Sequence, residues 1–359
     1  MPDVQIRIPG MPKEYPVVIE SGLLSRIAPQ FKPFEGRKVV IITDENVAPL
    51  YAEKVMAGLE AAGARPILRI LPAGETTKCM EQLEGIYDFL LSGGITRTDA
   101  LLALGGGVIG DLTGYACATY LRGIRFIQVP TTLLAQVDSS VGGKVAINHP
   151  RGKNLLGAFY QPELVLIDTD TLNTLDQRQV GAGLGEVIKY GCILDAALFE
   201  QIEACGSRQF LAPLYPEIVA RCIELKGQVV YEDPYDRGLR MILNFGHTLA
   251  HAIENAAGYG EILHGEAVCI GMVAAAAWGA RLGVTPPEIE SRIRQVLTAY
   301  ALPTEVPAGL TAEKLFPSLA LDKKASGKDI RIVCLEAIGR SRTVPVPAAR
   351  LKEFMEQLL

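Results

Sequence analysis

Between residues 38 and 170 short β-suited runs alternate with longer stretches of helical spacing, and that alternation restricts the fold more than any other feature. "KVVIITD" (38–44) is a β-rich apolar run, and "NVAPLYAEKVMAGLEAAG" carries apolar residues at helical spacing up to Gly63. "RPILRILPAGE" reads as a strand entering a loop, and "MEQLEGIYDFLLSGG" as an amphipathic helix stopped by Gly93 and Gly94. "DALLALGGG" is a strand running into glycines, "GIRFIQVPTTLL" a further strand with Pro130 at its end, and "ELVLIDTD" (163–170) closes the series. Strands joined through helices of this length imply right-handed crossovers and a largely parallel sheet.

After about residue 178 the texture changes. From "QVGAGLGEVIKYG" to "LTAYAL" the spacing is helical, and β-like segments return only at "DIRIVCLEAIG" and "RTVPVP". A chain of 359 residues also exceeds what one hydrophobic core usually organises. The expected architecture is an α/β N-terminal domain with a Rossmann-like, mostly parallel sheet (1–178) and a mainly α-helical C-terminal domain (179–359).

Charged residues at 21% and hydrophobic ones at 49% describe an ordinary soluble globular protein. A net charge of -5 argues against a general nucleic-acid binder, though not against a local basic pocket for a phosphorylated small molecule. The N-terminus lacks the basic and apolar regions of a secretion signal. The most apolar run, "AVCIGMVAAAAWGA" (267–280), is too short to span a bilayer and reads as a buried helix. Seven scattered cysteines without a CxxC pair look like reduced thiols, so a cytoplasmic enzyme with no membrane partner is expected.

Gly105, Gly107 and Gly110 in "ALGGGVIGD" satisfy G-x-G-x-x-G, where a backbone without Cβ can approach a pyrophosphate. The pattern alone is weak, because the same glycines make a tight strand-to-helix turn. Asp44, at the end of "VVIITD", is a partner for ribose or adenine, or else a helix N-cap. The segment 129–154 reads as a polar loop lining a cleft, with Thr131, Thr132, Asp138, Lys144, Lys153 and Asn154. Its "DSSVGGK" supplies N–H and hydroxyl donors for an anion.

Only four histidines occur. On a helix over 244–257, Asn244, His247, His251 and Glu254 share one face, and Gly258 ends the helix. Glu186 and Lys189 are three apart in "GEVIKYG", and His264 precedes the apolar helix. Two histidines and one carboxylate with an open position suit catalytic zinc. Spacing alone leaves open His264 or His251, and Glu186 or Glu266.

"GGGVIGDLTGYACATYLRG", "VPTTLLAQVDSSVGGKVAIN", "GKNLLGAFYQP", "GEVIKYG", "LRMILNFGHTLAHAIE" and "LHGEAV" together resemble the 3-dehydroquinate synthases of the sugar-phosphate cyclase group. The resemblance runs from about Asp44 to Gly339, with the motifs in order. It implies that 3-deoxy-D-arabino-heptulosonate 7-phosphate is closed to 3-dehydroquinate with loss of phosphate, a step of the shikimate pathway to aromatic amino acids. It implies a homodimer, NAD used catalytically, and a divalent metal, zinc with cobalt as a substitute, on Glu186, His247 and His264.

His251, Asp236, Lys189 and Asp138 are the implied catalytic residues, and Arg122, Lys144, Asn154, Lys226, Arg240, Asn244 and Lys324 (or Lys323) the substrate contacts. Arg122 resembles the arginine that reaches a neighbouring subunit's site. The implied nucleotide set is Asp44, Asn46, Gly74, Glu75, Thr76, Thr77, Lys78, Gly107, Val108, Ile109, Gly110, Asp111, Thr131, Thr132, Lys144, Lys153, Thr171, Leu172, Asn173 and Thr174. Three positions depart from the pattern: Asp236 stands where Glu is common, Gly185 where Ala is, and Ala250 where Gly is. The competing readings are another cyclase of the 2-deoxy-scyllo-inosose or valiolone type, a metal-dependent polyol dehydrogenase, and an inactive nucleotide-binding protein.

Overall fold

A computed structural model describes residues 3–6, 14–258, 261–317 and 329–358. They form two compact units: Met1–Asp176 with Val219–Tyr235, and Gln177–Ile218 with Asp236–Leu359. The segment 219–235, which carries Lys226, thus belongs with the α/β unit, although its sequence lies among helical patterns.

The first unit is built on a seven-stranded sheet. In chain order its elements are β1 (Asp3–Ile6), β2 (Tyr15–Ile19), β3 (Lys38–Asp44), α1 (Ala48–Ala61), β4 (Arg65–Leu71), α2 (Met80–Ser92), β5 (Ala100–Gly105), α3 (Gly107–Thr119), β6 (Arg125–Pro130), β7 (Lys144–His149), β8 (Gly152–Phe159) and β9 (Leu164–Ile167). The sheet order is β1-β2-β9-β6-β5-β3-β4, parallel from β2 to β4, with β1 antiparallel at one edge. Both faces are covered, which is why the strands read as unbroken apolar runs rather than alternating ones. On one face Val39, Ile41, Leu102 and Leu104 pack with Val55 and Leu59 of α1 and with Phe31 and Phe34. On the other, Val40, Ile42, Leu101 and Ala103 meet Ile86 and Leu90 of α2 and Leu112 and Ala116 of α3. Each buried Val, Leu, Ile or Phe among them stabilises the fold by about 1.5–3 kcal/mol.

The polar-loop expectation for 129–154 needs correction. Residues 144–159 form the antiparallel hairpin β7–β8, pairing Lys144 with Phe159 and Ile147 with Leu156. Val145 and Ile147 of β7 enter the core beneath α2 and α3, so the period-two apolar signal is there, only short and diluted by polar neighbours. β2 lies outside the expected series too; "YPVVI" contains a proline, Pro16, and is only five residues long.

The second unit contains α4 (Gln177–Ile193), α5 (Ala196–Cys205), α6 (Arg208–Leu211), the first turn of α7 (Tyr215–Glu232), α8 (His247–Ala257), α9 (His264–Arg281) and α10 (Glu288–Ala299). A hairpin of β10 (Asp329–Ala337) and β11 (Arg340–Pro347) and a closing helix (Ala348–Leu358) complete it. No described helix is long and apolar enough to cross a membrane; α9 is a core helix, buried from Ala267 to Ala276. Its glycines let neighbouring backbones touch it. A Cβ at Gly265 would lie 1.8 Å from the Ala182 carbonyl of α4, and one at Gly271 would lie 1.9 Å from the carbonyl of Gly246.

Gly246 has φ 81, a left-handed conformation that costs glycine little and other residues more. It breaks the helix expected over 244–257. Leu239–Asn244 form a separate 3-10 turn, and α8 starts at His247, so Asn244 does not share its helical face. Gly258 does cap the C-terminus.

Candidate active site

Within the first unit, five of the segments implied for nucleotide binding follow the carboxyl ends of parallel strands. Asp44 ends β3, Gly74–Lys78 follow β4, Gly107–Asp111 open α3 after β5, Thr131 and Thr132 follow β6, and Thr171–Thr174 follow β9. The registers Asp44↔Leu71, Thr43↔Leu104 and Gly105↔Pro130 put those ends side by side. The chain reverses direction across the sheet between β4 and β5, on either side of β3, and such a switch point leaves a crevice where α/β sheets take ligands.

Local bonds shape this edge. Asp44 is not the formal cap of α1; its Oδ1 accepts from the backbone N–H of Asn46 at 2.9 Å and of Val47 at 3.0 Å, closing the turn before the helix. Burial raises the Asp44 carboxyl pKa against the lowering effect of those bonds. Lys78 is buried with its ammonium on the Asp111 carboxylate, and burial, only partly offset by Lys78, raises the Asp111 pKa. A Cβ at Gly110 would lie 2.9 Å from Gln128 Oε1, so glycine there lets α3 lie against the Gln128 side chain of β6 without displacing it. Glu75 accepts from Asn148 Nδ2 at 2.7 Å and lies 3.9 Å from Lys153 Nζ. Asn148 Oδ1 in turn accepts from the Asn154 N–H at 2.9 Å and holds that residue at φ 56. Asn148 is thus a bridge between two implied contact groups that the motif reading did not single out. Thr171 is buried and accepts from Gln136 Nε2 at 2.9 Å, and Thr174 bonds the Tyr51 hydroxyl.

Lys226 is buried and donates to the Asp138 carbonyl at 2.6 Å, with the Asp138 carboxylate 2.8 Å away. Both belong to the first unit, so two implied substrate contacts far apart in sequence are adjacent in space. Lys144 is exposed at the start of β7. Arg122 is exposed on a turn whose residues Leu121, Arg122 and Gly123 all have positive φ.

The second unit carries the histidines. Glu186 on α4 is fully buried, and Lys189, one turn on and also buried, rests its ammonium against Glu186 Oε2. Glu186 Oε1 faces His247 Nε2 at 3.7 Å and His264 Nε2 at 3.6 Å. Glu186, His247 and His264 each offer a ligand atom within 4.8 Å of the others. The bond network dictates which imidazole nitrogens hold protons. His247 Nδ1 lies 3.1 Å from the Phe245 carbonyl, which only accepts, so the proton sits on Nδ1 and the lone pair on Nε2. His264 Nδ1 lies 3.1 Å from Glu254 Oε2, with the same consequence. Burial above all, then the ammonium of Lys189 and the neighbouring imidazoles of His264 and His251, push the His247 pKa well below its ordinary value.

Two lone pairs and a buried carboxylate oxygen without a hydrogen-bond donor therefore converge. Acceptors repel unless a cation lies among them. Donors around tetrahedral zinc stand about 3.4 Å apart, close to the separations here. The donor set fits a divalent metal. Of the two carboxylates that spacing left open, Glu186 lies in this cluster, while Glu266 pairs with Arg178 at 2.6 Å. A second group, His251, Glu254 and His264, also brings ligand atoms within 4.8 Å. His251 is exposed one turn beyond His247, the ring centroids 5.6 Å apart. Arg240 is buried and Asn244 exposed on the 3-10 turn before α8. Asp236 is half-buried at φ 57. Lys323 and Lys324 lie outside the described residues.

Models of the 3-dehydroquinate synthase N-terminal and C-terminal regions match residues 68–182 and 183–325. A 3-dehydroquinate synthase of Pelobacter propionicus is 48% identical over 341 residues, 94% of each chain. The crystal structure of a 2-deoxy-scyllo-inosose synthase complexed with carbaglucose-6-phosphate, NAD+ and Co2+ has a TM-score of 0.90 at 27% identity over 100% of both chains. The 2-epi-5-epi-valiolone synthase of Streptomyces hygroscopicus subsp. jinggangensis, with NAD+ and Zn2+ bound, has a TM-score of 0.88 at 28% identity over 98% of this chain and 99% of that one. The fold is that of the sugar-phosphate cyclases, and the chain is a lyase-class enzyme. Within it, the chain belongs to the 3-dehydroquinate synthase family.

Proposed function

We propose that this enzyme closes 3-deoxy-D-arabino-heptulosonate 7-phosphate to 3-dehydroquinate with release of phosphate, in the cytoplasm and as a homodimer. The observation that carries the reading is the buried Glu186 carboxylate facing the Nε2 atoms of His247 and His264, with Lys189 beside it. A phosphate on a saturated carbon leaves slowly, whereas transient oxidation of a ring alcohol acidifies the neighbouring C–H and permits elimination. NAD would take and return that hydride, and a divalent metal, zinc or cobalt, would lower the pKa of the reacting alcohol.

The chain's own residues do the rest. Glu186, His247 and His264 would hold the metal, and the strand-end segments from Asp44 to Thr174, with Lys144 and Lys153, the nucleotide. Lys189, Lys226 and Asp138 would orient ring hydroxyls. Arg240, whose planar fork suits a carboxylate, would act with Lys144, Asn154, Asn244 and His251 on the carboxylate and phosphate, joined by Lys323 or Lys324. His251 and Asp236 would move protons, and Arg122 would serve a neighbouring subunit's site.

The test incubates the purified chain with the heptulosonate phosphate, catalytic NAD+ and zinc, following phosphate and dehydroquinate together. Equal yields with NAD+ recovered are expected. The structural likeness to 2-deoxy-scyllo-inosose synthase supports a second reading, turnover of glucose 6-phosphate in place of the acid. Stoichiometric NADH without phosphate release would instead make it a dehydrogenase.

A further inference from the structure

Of the two imidazoles facing Glu186, one is oriented by backbone and the other by a side chain. The Phe245 carbonyl holds His247 and survives any substitution. His264 is held by Glu254, which lies on α8 seven residues after His247 and therefore on the same helical face. Glu254 is itself buried, 6% exposed, and places Oε2 3.1 Å from His264 Nδ1.

We propose that Glu254 is a positioning residue: by taking the Nδ1 proton of His264 as its hydrogen-bond partner, it commits the Nε2 lone pair to the metal. The proposal rests on the metal reading above. An ionised carboxylate accepts and cannot donate, so the bond forms only when Nδ1 carries the proton. A neutral imidazole has one lone-pair nitrogen, and Nε2 then points at Glu186 Oε1, 3.6 Å away. The negative charge behind the ring also raises the basicity of the ligating nitrogen. Without it the ring takes either tautomer, and the fraction protonated at Nε2 cannot ligate.

The same geometry argues against reading His251, Glu254 and His264 as a second metal site. His264 would have to offer lone pairs from both nitrogens at once, which requires an imidazolate.

The experiment uses the full chain, stripped with a chelator and titrated with Zn2+ against a chromophoric competitor of known affinity. Wild type is expected to take one equivalent; Glu254→Gln and Glu254→Ala are expected to take one equivalent with affinity about 10–100-fold weaker. In parallel, 15N NMR of the metal-free protein reads the His264 tautomer. Wild type should show a protonated Nδ1 and a bare Nε2, and Glu254→Ala a mixture. Unchanged zinc affinity in Glu254→Ala, two equivalents in wild type, or a protonated Nε2 in metal-free wild type would each overturn the proposal. If wild type binds no zinc while its tautomer is as expected, the metal reading fails and the orienting bond stands. Should Glu254→Ala not fold, the near-isosteric Glu254→Gln and the wild-type tautomer still decide.

Discussion

His247 and His251 are four residues apart on one helix, yet their surroundings divide their work. His247 is partly buried against the Phe245 carbonyl and faces Glu186, while His251 is exposed one turn on. His247→Ala and His264→Ala are therefore expected to lose bound zinc in metal analysis of the purified protein. His251→Ala should keep the metal and lose rate; zinc missing from that variant would reverse the assignment. Asp suits position 236, where the family resemblance leads one to expect Glu, for a physical reason. At φ 57 a short side chain that bonds its local backbone is favoured, and a longer one is strained. Asp236→Glu should lower stability by about 1 kcal/mol, read as a drop in thermal midpoint.

At the scale of elements, the ligand cluster depends on helices crossing almost backbone to backbone. Gly246 adjoins His247, Gly265 adjoins His264, and Gly185 adjoins Glu186, where a Cβ would lie 2.7 Å from the Gly265 carbonyl. Gly265→Ala or Gly271→Ala forces a methyl into a backbone carbonyl and should cost more than about 3 kcal/mol, seen as lost soluble yield or a collapsed unfolding transition. Gly85→Ala on α2 is the contrast: its space is open to within 4.0 Å, and helix propensity alone should raise stability by about 0.5–1 kcal/mol. Asp99, at the entrance to β5, accepts from the N–H of Thr96 at 2.8 Å and of Lys38 at 2.9 Å. Burial raises its pKa, but those bonds outweigh burial and hold it below the usual carboxylate range. With the folded pKa depressed, this stabilisation is complete above the unfolded value of about 3.9 and fades as pH falls through the folded one. Asp99→Asn should flatten that acid limb in denaturant titrations run from pH 6 down to pH 2.

For the molecule as a whole, the metal should act as a stabilising ligand, since its proposed donors come from three separate helices. A metal at a hundredfold excess over its dissociation constant adds about 2.7 kcal/mol. Chelation is expected to lower the thermal midpoint of wild type and leave that of His247→Ala unmoved; an equal shift in both would place the stabilising ion elsewhere. The strands β3, β5, β6 and β9 and the helices α1, α2 and α9 were legible in the sequence because their periodicity is local and both faces of the sheet are buried. The hairpin β7–β8 was not, because only Val145 and Ile147 of it are fully buried in the core, with Leu156 and Ala158 packing partly exposed against it. The break at Gly246 was hidden for another reason: polar and apolar spacing continues across it while the backbone does not. By itself the sequence determined the order of elements, the family, and a short roster of chemistry-bearing side chains. Which histidines meet Glu186, that Glu254 stands behind one of them, and that Lys226 joins Asp138 were decided only by the tertiary structure. Those meetings depend on helix crossings and long-range chain returns, which no local periodicity encodes.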